Sequence, residues 1–215
     1  EMKKTLLSCI GDTPLLIDNS VNYGAIGESR VGVGQGYKDI LYVNYGIGVG
    51  SALIIDGKLY RGANGAAGET GFMMPSREYL GRTFCEEGAM ERLISGYRVA
   101  DALGGRDDGK TIRKLFARYR QGDSMAGVTV DSLIEYAGMM FINSVAVFNP
   151  ALIIVSGGLG LGLSEFALER WKKMLATHVP FPPEIVVSQL HNRANAQGAV
   201  EVALTYVGKQ EAAAL

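Results

Sequence analysis

The feature that most constrains this chain is where its glycines fall. There are 29 among 215 residues, roughly twice the share of an ordinary globular protein. They crowd between Gly24 and Gly71 and again between Gly157 and Gly162. Val, Ile, Leu and Tyr are interleaved through both stretches, so this is not the composition of a flexible linker. Glycine set among strand formers serves tight turns and close approach of the backbone to a ligand.

The pattern around those glycines predicts a mixed α/β domain. Residues 15–17 form a short apolar run, a strand ending in the polar loop Asp18-Asn19-Ser20. A helix is expected over 21–29 with Ser20 or Asn22 as its cap, then a turn over 32–36. Residues 39–45, 51–55 and 58–61 read as three strands of an antiparallel meander, with Asp56-Gly57 as a hairpin turn. The middle of the chain shows helical spacing over 86–93, 97–103, 111–119 and 130–148, the last stopping at Asn149-Pro150. A continuous apolar run over 152–156 fits a fully buried parallel strand with Gly157-Gly158 at its carboxyl end. A helix over 164–178, a strand over 184–188 and a helix over 194–207 complete the alternation.

Composition excludes several classes. The net charge of −1 and a pI near 6.2 leave no basic stripe for nucleic acid. Arg113, Lys114, Arg118 and Arg120 make one basic helical face, read as solvated surface before partner contact. Cys9 and Cys85 are too few for a disulfide framework, which points to a reducing, cytoplasmic setting. No continuous apolar run reaches the roughly 18 residues of a membrane span, and no apolar segment follows the charged first residues, so a signal peptide is not expected. His178 and His191 are read as surface or strand-end residues, and Trp171 as core or interface.

The stretch over 57–71, Gly-Lys-Leu-Tyr-Arg-Gly-Ala-Asn-Gly-Ala-Ala-Gly-Glu-Thr-Gly, is very similar to the signature of the ROK family of repressors and sugar kinases. The loop 18–22, the hairpin Gly46-x-Gly48-x-Gly50, the run from Asn149 to Gly158 and Ala196-Gln-Gly-Ala-Val200 match in the same order. A lone G-x-G-x-G would carry little weight; the series does. The resemblance implies an actin/hexokinase-like (ribonuclease H-like) ATPase fold of two lobes around a sugar and nucleotide cleft. It implies that residues 1–36 are the tail of the small lobe with its sugar loop and that 37–215 are the large lobe. A phosphate-binding N-terminal lobe and any helix-turn-helix domain would lie outside this chain.

Carried over residue by residue, the resemblance implies a sugar site at Asn19, Ser20, Glu69 and Glu91, and a nucleotide cleft at Gly46, Gly48, Gly50, Gly157 and Gly158. Glu69 and Glu91 could equally be helix-end or surface carboxylates, and Gly157-Gly158 plain turn geometry. The family's kinases carry an Asp base in the sugar loop where Ser20 stands here; a hydroxyl is no useful base at neutral pH. An alternative register would bring Asp18 or Asp12 to the sugar, and a third reading makes Asn19-Ser20 a simple helix cap. Ile47 occupies the place of a phosphate-facing Thr. Phe72, Arg82, Phe84 and Ala89 fall where the family holds zinc, so no metal is expected, and Phe72 and Phe84 could pack together instead. The resemblance therefore implies a non-catalytic, sugar-sensing and oligomerising domain of a bacterial ROK-type transcriptional repressor of carbohydrate metabolism. Its effector would be a small sugar or sugar phosphate, DNA would be reached only through a separate domain, and the expected state is a homodimer or higher. The alternative is an ATP- and magnesium-dependent, glucokinase-like kinase; a third is a regulatory domain without ligands.

Overall fold

The computed structural model describes residues 2–11, 13–83, 87–105 and 110–213. One five-stranded sheet organises them, in the order β3-β2-β1-β4-β5. β1 (Ile40–Tyr45), β2 (Val49–Ile55) and β3 (Lys58–Tyr60) are the expected antiparallel meander. β4 (Leu152–Ser156) pairs parallel to β1, and β5 (Glu184–Val187) parallel to β4. Asp56 and Gly57 turn the β2–β3 hairpin with φ of 51° and 73°, the two left-handed residues that a type I′ turn requires.

The sheet buries both faces. Ile40, Tyr42, Ala52, Ile54, Leu152 and Ile154 face α2 (Ser20–Val31), against whose other side α8 (Ala194–Ala213) packs. Leu41, Val43, Tyr45, Ile153 and Val155 face a larger layer of α5 (Lys110–Arg120), α6 (Ser124–Phe148) and α7 (Gly158–His178). Trp171 fills the centre of that layer, fully buried, and donates its indole N–H to the Ile134 carbonyl at 2.9 Å. It is core. α6 is capped by the Asp123 carboxylate at Ala126 N and ends on left-handed Asn149 before Pro150. By length and composition α6 could cross a membrane; here its stripe from Val130 to Val145 packs into the core between α5 and α7.

Several expectations are corrected. Residues 15–17 are coil, with Leu16 and Ile17 about half exposed; among the described residues no strand pairs with them. The cap of α2 is Asn19, whose side chain accepts from Val21 N at 3.2 Å, rather than Ser20 or Asn22. The helix expected over 86–93 shrinks to α3 (Glu91–Ile94), followed by α4 (Gly96–Ala102); Gly88 is pressed against the Gly71 carbonyl, where a regular helix has no room. α7 begins at Gly158, six residues before the expected start. α1 (Met2–Ile10) was not foreseen.

Candidate functional site

Three consecutive residues at the start of β2 gather the segments that the sequence singled out. The Glu91 carboxylate accepts from Val49 N at 2.9 Å. Gly50 faces Val21 of α2, whose Cβ would lie 3.5 Å from a side chain placed there. Ser51 is buried; its hydroxyl donates to the Gly68 carbonyl and shares a hydrogen bond of 2.8 Å with Thr70 Oγ1. The start of α2, the 57–71 stretch and α3 are thereby pinned around one strand end.

Within that gathering Glu69 and Glu91 come into electrostatic reach of each other. Partial desolvation by the surrounding chain pushes the Glu69 carboxyl above the usual glutamate range, and the Glu91 carboxylate pushes it further. Because the folded pKa is raised, the folded chain holds this proton more tightly than the unfolded one. The resulting penalty is absent below the ordinary glutamate range, grows as pH rises towards the folded value, and is constant above it. Glu69 is solvent-exposed, so the effect is small. Glu69→Gln is expected to stabilise the fold by no more than about 0.5 kcal/mol at neutral pH and by nothing at about pH 3. Thermal melts of both proteins at the two pH values check it.

Asn19 and Ser20 are exposed at the start of α2, with the Asn19 carboxamide oxygen engaged in the cap. The nearby carboxylate, Asp18, is tied down. It accepts from Asn19 N at 2.8 Å, from Asn22 Nδ2 at 2.6 Å, and from Arg61 Nε and Nη2 at 3.2 and 2.6 Å. Partial burial alone would raise its carboxyl, but the bonds from Asn22, Arg61 and the Asn19 amide outweigh it and hold Asp18 below the usual range. The Arg61–Asp18 pair, two guanidinium nitrogens on one carboxylate oxygen, joins the 57–71 stretch to the 18–22 loop. Nothing in residue spacing announced it.

The Gly46–Gly50 hairpin is held by its carbonyls. Gly46 O and Ile47 O accept from Gly96 N and Tyr97 N of α4, both at 2.9 Å. Ile47 is 69% exposed and stands at the rim of a cavity of about 780 Å³ lined also by Ile112, Phe116, Leu159 and Gly158. Two members of the basic helical face, Arg113 and Arg120, line the same cavity, Arg120 paired with Glu165 and stacked over Phe166. Gly157 lines a second cavity with His191, Asn192 and Asn195, and Gly158 lines both cavities; His191 is exposed, the surface position expected of it, and also borders this cavity. His178 is exposed at the end of α7.

At the positions that the resemblance assigned to zinc, Phe72 is 44% exposed, Arg82 is exposed and Ala89 is fully buried. Phe84 lies outside the described residues, as do Asp12 and Cys85, and with it the expected packing of Phe84 on Phe72. Among the described residues no three His, Cys, Asp or Glu side chains cluster as a metal site would require.

The profile of the ROK family matches residues 3–206. This chain belongs to the ROK family. Its relatives include a xylose repressor of Caldicellulosiruptor bescii, 29% identical over 89% of this chain and 52% of that protein. A glucokinase of Streptomyces coelicolor is 27% identical over 88% of this chain and 67% of its own length. This ROK chain thus spans about half to two thirds of the length of the curated relatives it matches. Among solved structures, the ROK hexokinase of Thermus thermophilus superposes with a TM-score of 0.78 at 26% identity, over 97% of this chain and 70% of that one. A ROK family glucokinase of Streptomyces griseus, solved with glucose and AMPPNP, gives 0.72 at 28% identity, over 93% and 71%. The fold is the actin/hexokinase-like one that the resemblance implied, here carrying a single mixed sheet.

Proposed function

We propose that this chain is the sugar-sensing, non-catalytic portion of a ROK-type transcriptional repressor, cytoplasmic and self-associating, with DNA contacted by a domain outside it. The observation that carries the reading is the state of the sugar loop. The place of the kinase base is taken by the Ser20 hydroxyl, and the adjacent carboxylate, Asp18, is held ionised by Arg61, Asn22 and the Asn19 amide. Such a carboxylate is a weak base already committed to other donors. Ile47 gives the hairpin apolar bulk in place of a hydroxyl. Glu69 and Glu91 remain as acceptors suited to reading vicinal hydroxyls, since each carboxylate offers about four lone-pair sites. In this reading residues 1–36 are the small lobe's tail, and the zinc positions carry no metal.

Calorimetry with hexoses, pentoses and amino sugars tests the sensor. One of them is expected to bind the intact protein, and binding of none would end this reading. A second reading, an ATP-dependent sugar kinase, has in its favour the 780 Å³ cavity beside the hairpin and the glucokinase relatives. Sugar-dependent release of ADP would establish it.

A further inference from the structure

Beside the outermost strand, β3, a groove of about 480 Å³ opens between the β2–β3 hairpin, α2 and α8. Its base is apolar. Ile54 and Leu59 are register partners across β2 and β3, the first in the buried cluster of that face and the second packed against it. Ile26 of α2 and Val202 of α8 form the walls. α8 is fixed one turn earlier, where Gly198 lies against the Tyr23 carbonyl and Gly27. Leu16 makes the lip, half exposed, with its carbonyl accepting from the Tyr23 hydroxyl at 3.3 Å. The apolar run that finds no strand to pair with therefore edges a groove.

The rim carries charge. Arg30, in the last turn of α2, and Lys58, the first residue of β3, both line the groove and are exposed. Among the described residues neither side chain makes an ion pair or a hydrogen bond. Arg61, the third cation in the lining, is already committed to Asp18. Glu201 is the only carboxylate among the described residues that line the space, and Ser29 and Tyr206 bring hydroxyls to it. A cation suits the last turn of a helix, and a lysine suits an edge strand. Neither role accounts for both cations standing over one apolar base.

We infer that this groove binds a small amphipathic carboxylate, its apolar body on Ile26, Ile54, Leu59 and Val202 and its head group at Arg30 and Lys58. Two uncommitted cations against one carboxylate favour an anion, and a carboxylate matches the planar fork of a guanidinium. The apolar base selects against a bare hydrated ion, because only a ligand with a carbon body takes that surface out of water. A concave, mostly apolar space with a few placed polar groups is the form of a small-molecule site. None of Asn19, Ser20, Glu69 and Glu91 lines it, so the inference stands apart from the sugar reading.

The test is calorimetric titration of the intact protein with 3-phenylpropionate and, in parallel, with its neutral counterpart 3-phenylpropan-1-ol. The variants are Arg30→Gln, Lys58→Gln, the two combined, and Thr205→Glu, which sets a negative charge in the lining. All three positions are exposed, and circular dichroism checks that each variant folds. Lys38→Gln, an exposed cation away from the groove, is the control. The carboxylate is expected to bind the wild type saturably and more tightly than the alcohol. Its affinity should fall about tenfold in either single Gln variant, vanish in the double variant and in Thr205→Glu, and hold in Lys38→Gln. Absence of saturable binding to the wild type would overturn the inference. So would equal affinity for acid and alcohol, or wild-type affinity in the double variant, which would leave Arg30 and Lys58 as helix-end and edge-strand charges alone.

Discussion

Gly198→Ala is expected to cost about 3 kcal/mol or more of folding stability. Helices α2 and α8 cross so closely that a Cβ at position 198 would lie 1.7 Å from the Tyr23 carbonyl oxygen and 3.0 Å from Gly27 N. The obstructing atoms are backbone, so no rotamer relieves the clash. Position 27 answers it from the other helix, where a Cβ would meet the Ala194 carbonyl at 2.3 Å. The helices must separate, and the α2/α8 face of the sheet loses its cover over Tyr42, Ile54 and Ile154. Gly208→Ala, on the same helix with nothing within 4 Å, is the control and should gain up to about 1 kcal/mol from helix propensity. Urea unfolding of both variants against the wild type measures the difference. A Gly198→Ala protein within about 1 kcal/mol of the wild type would mean that the crossing is looser than described.

The second large effect falls on ligand. If the chain is the proposed sugar sensor, Glu91→Ala is expected to weaken sugar binding by about a hundredfold or more, since the carboxylate proposed to accept from a sugar hydroxyl is lost with its geometry. The same substitution strips Val49 N of its acceptor and lowers stability by about 1–2 kcal/mol. Glu91→Gln separates the two roles. Its carboxamide oxygen can still accept from Val49 N and restore the melting midpoint, while the missing charge leaves affinity reduced. Calorimetry and thermal melts on the pair check this; recovery of full affinity in Glu91→Gln would assign Glu91 to scaffolding alone.

Where local chemistry decides structure, the sequence was readable. Asp56-Gly57 announces its hairpin, Asn149-Pro150 stops α6, and the apolar run of β4 is buried along its whole length. Apart from the cap of α2, a local choice among neighbouring residues, the misreadings fall where tertiary contacts set the outcome. Gly158, Gly160 and Gly162 are poor helix formers, yet α7 starts among them because Gly160 packs under Val155 and Tyr45 and Gly162 against Phe116. Residues 15–17 read as a strand until one asks what would pair with them. For the site, Glu69, Glu91 and the glycine hairpin were visible as motif positions. The Arg61–Asp18 pair and the Glu28–Ser188 hydrogen bond join residues 43 and about 160 positions apart, and no local periodicity encodes such partners.

A sugar sensor of the proposed kind recognises its sugar without phosphorylating it. The most direct measurement is calorimetric titration of the intact protein with a sugar panel, coupled on the same preparation to an ADP-release assay with ATP and magnesium. The expected result is saturable binding of at least one sugar, abolished in Glu91→Ala, with no sugar-dependent ADP above the rate without sugar. Sugar-dependent ADP release that vanishes in Glu69→Ala would contradict it and make the protein a kinase.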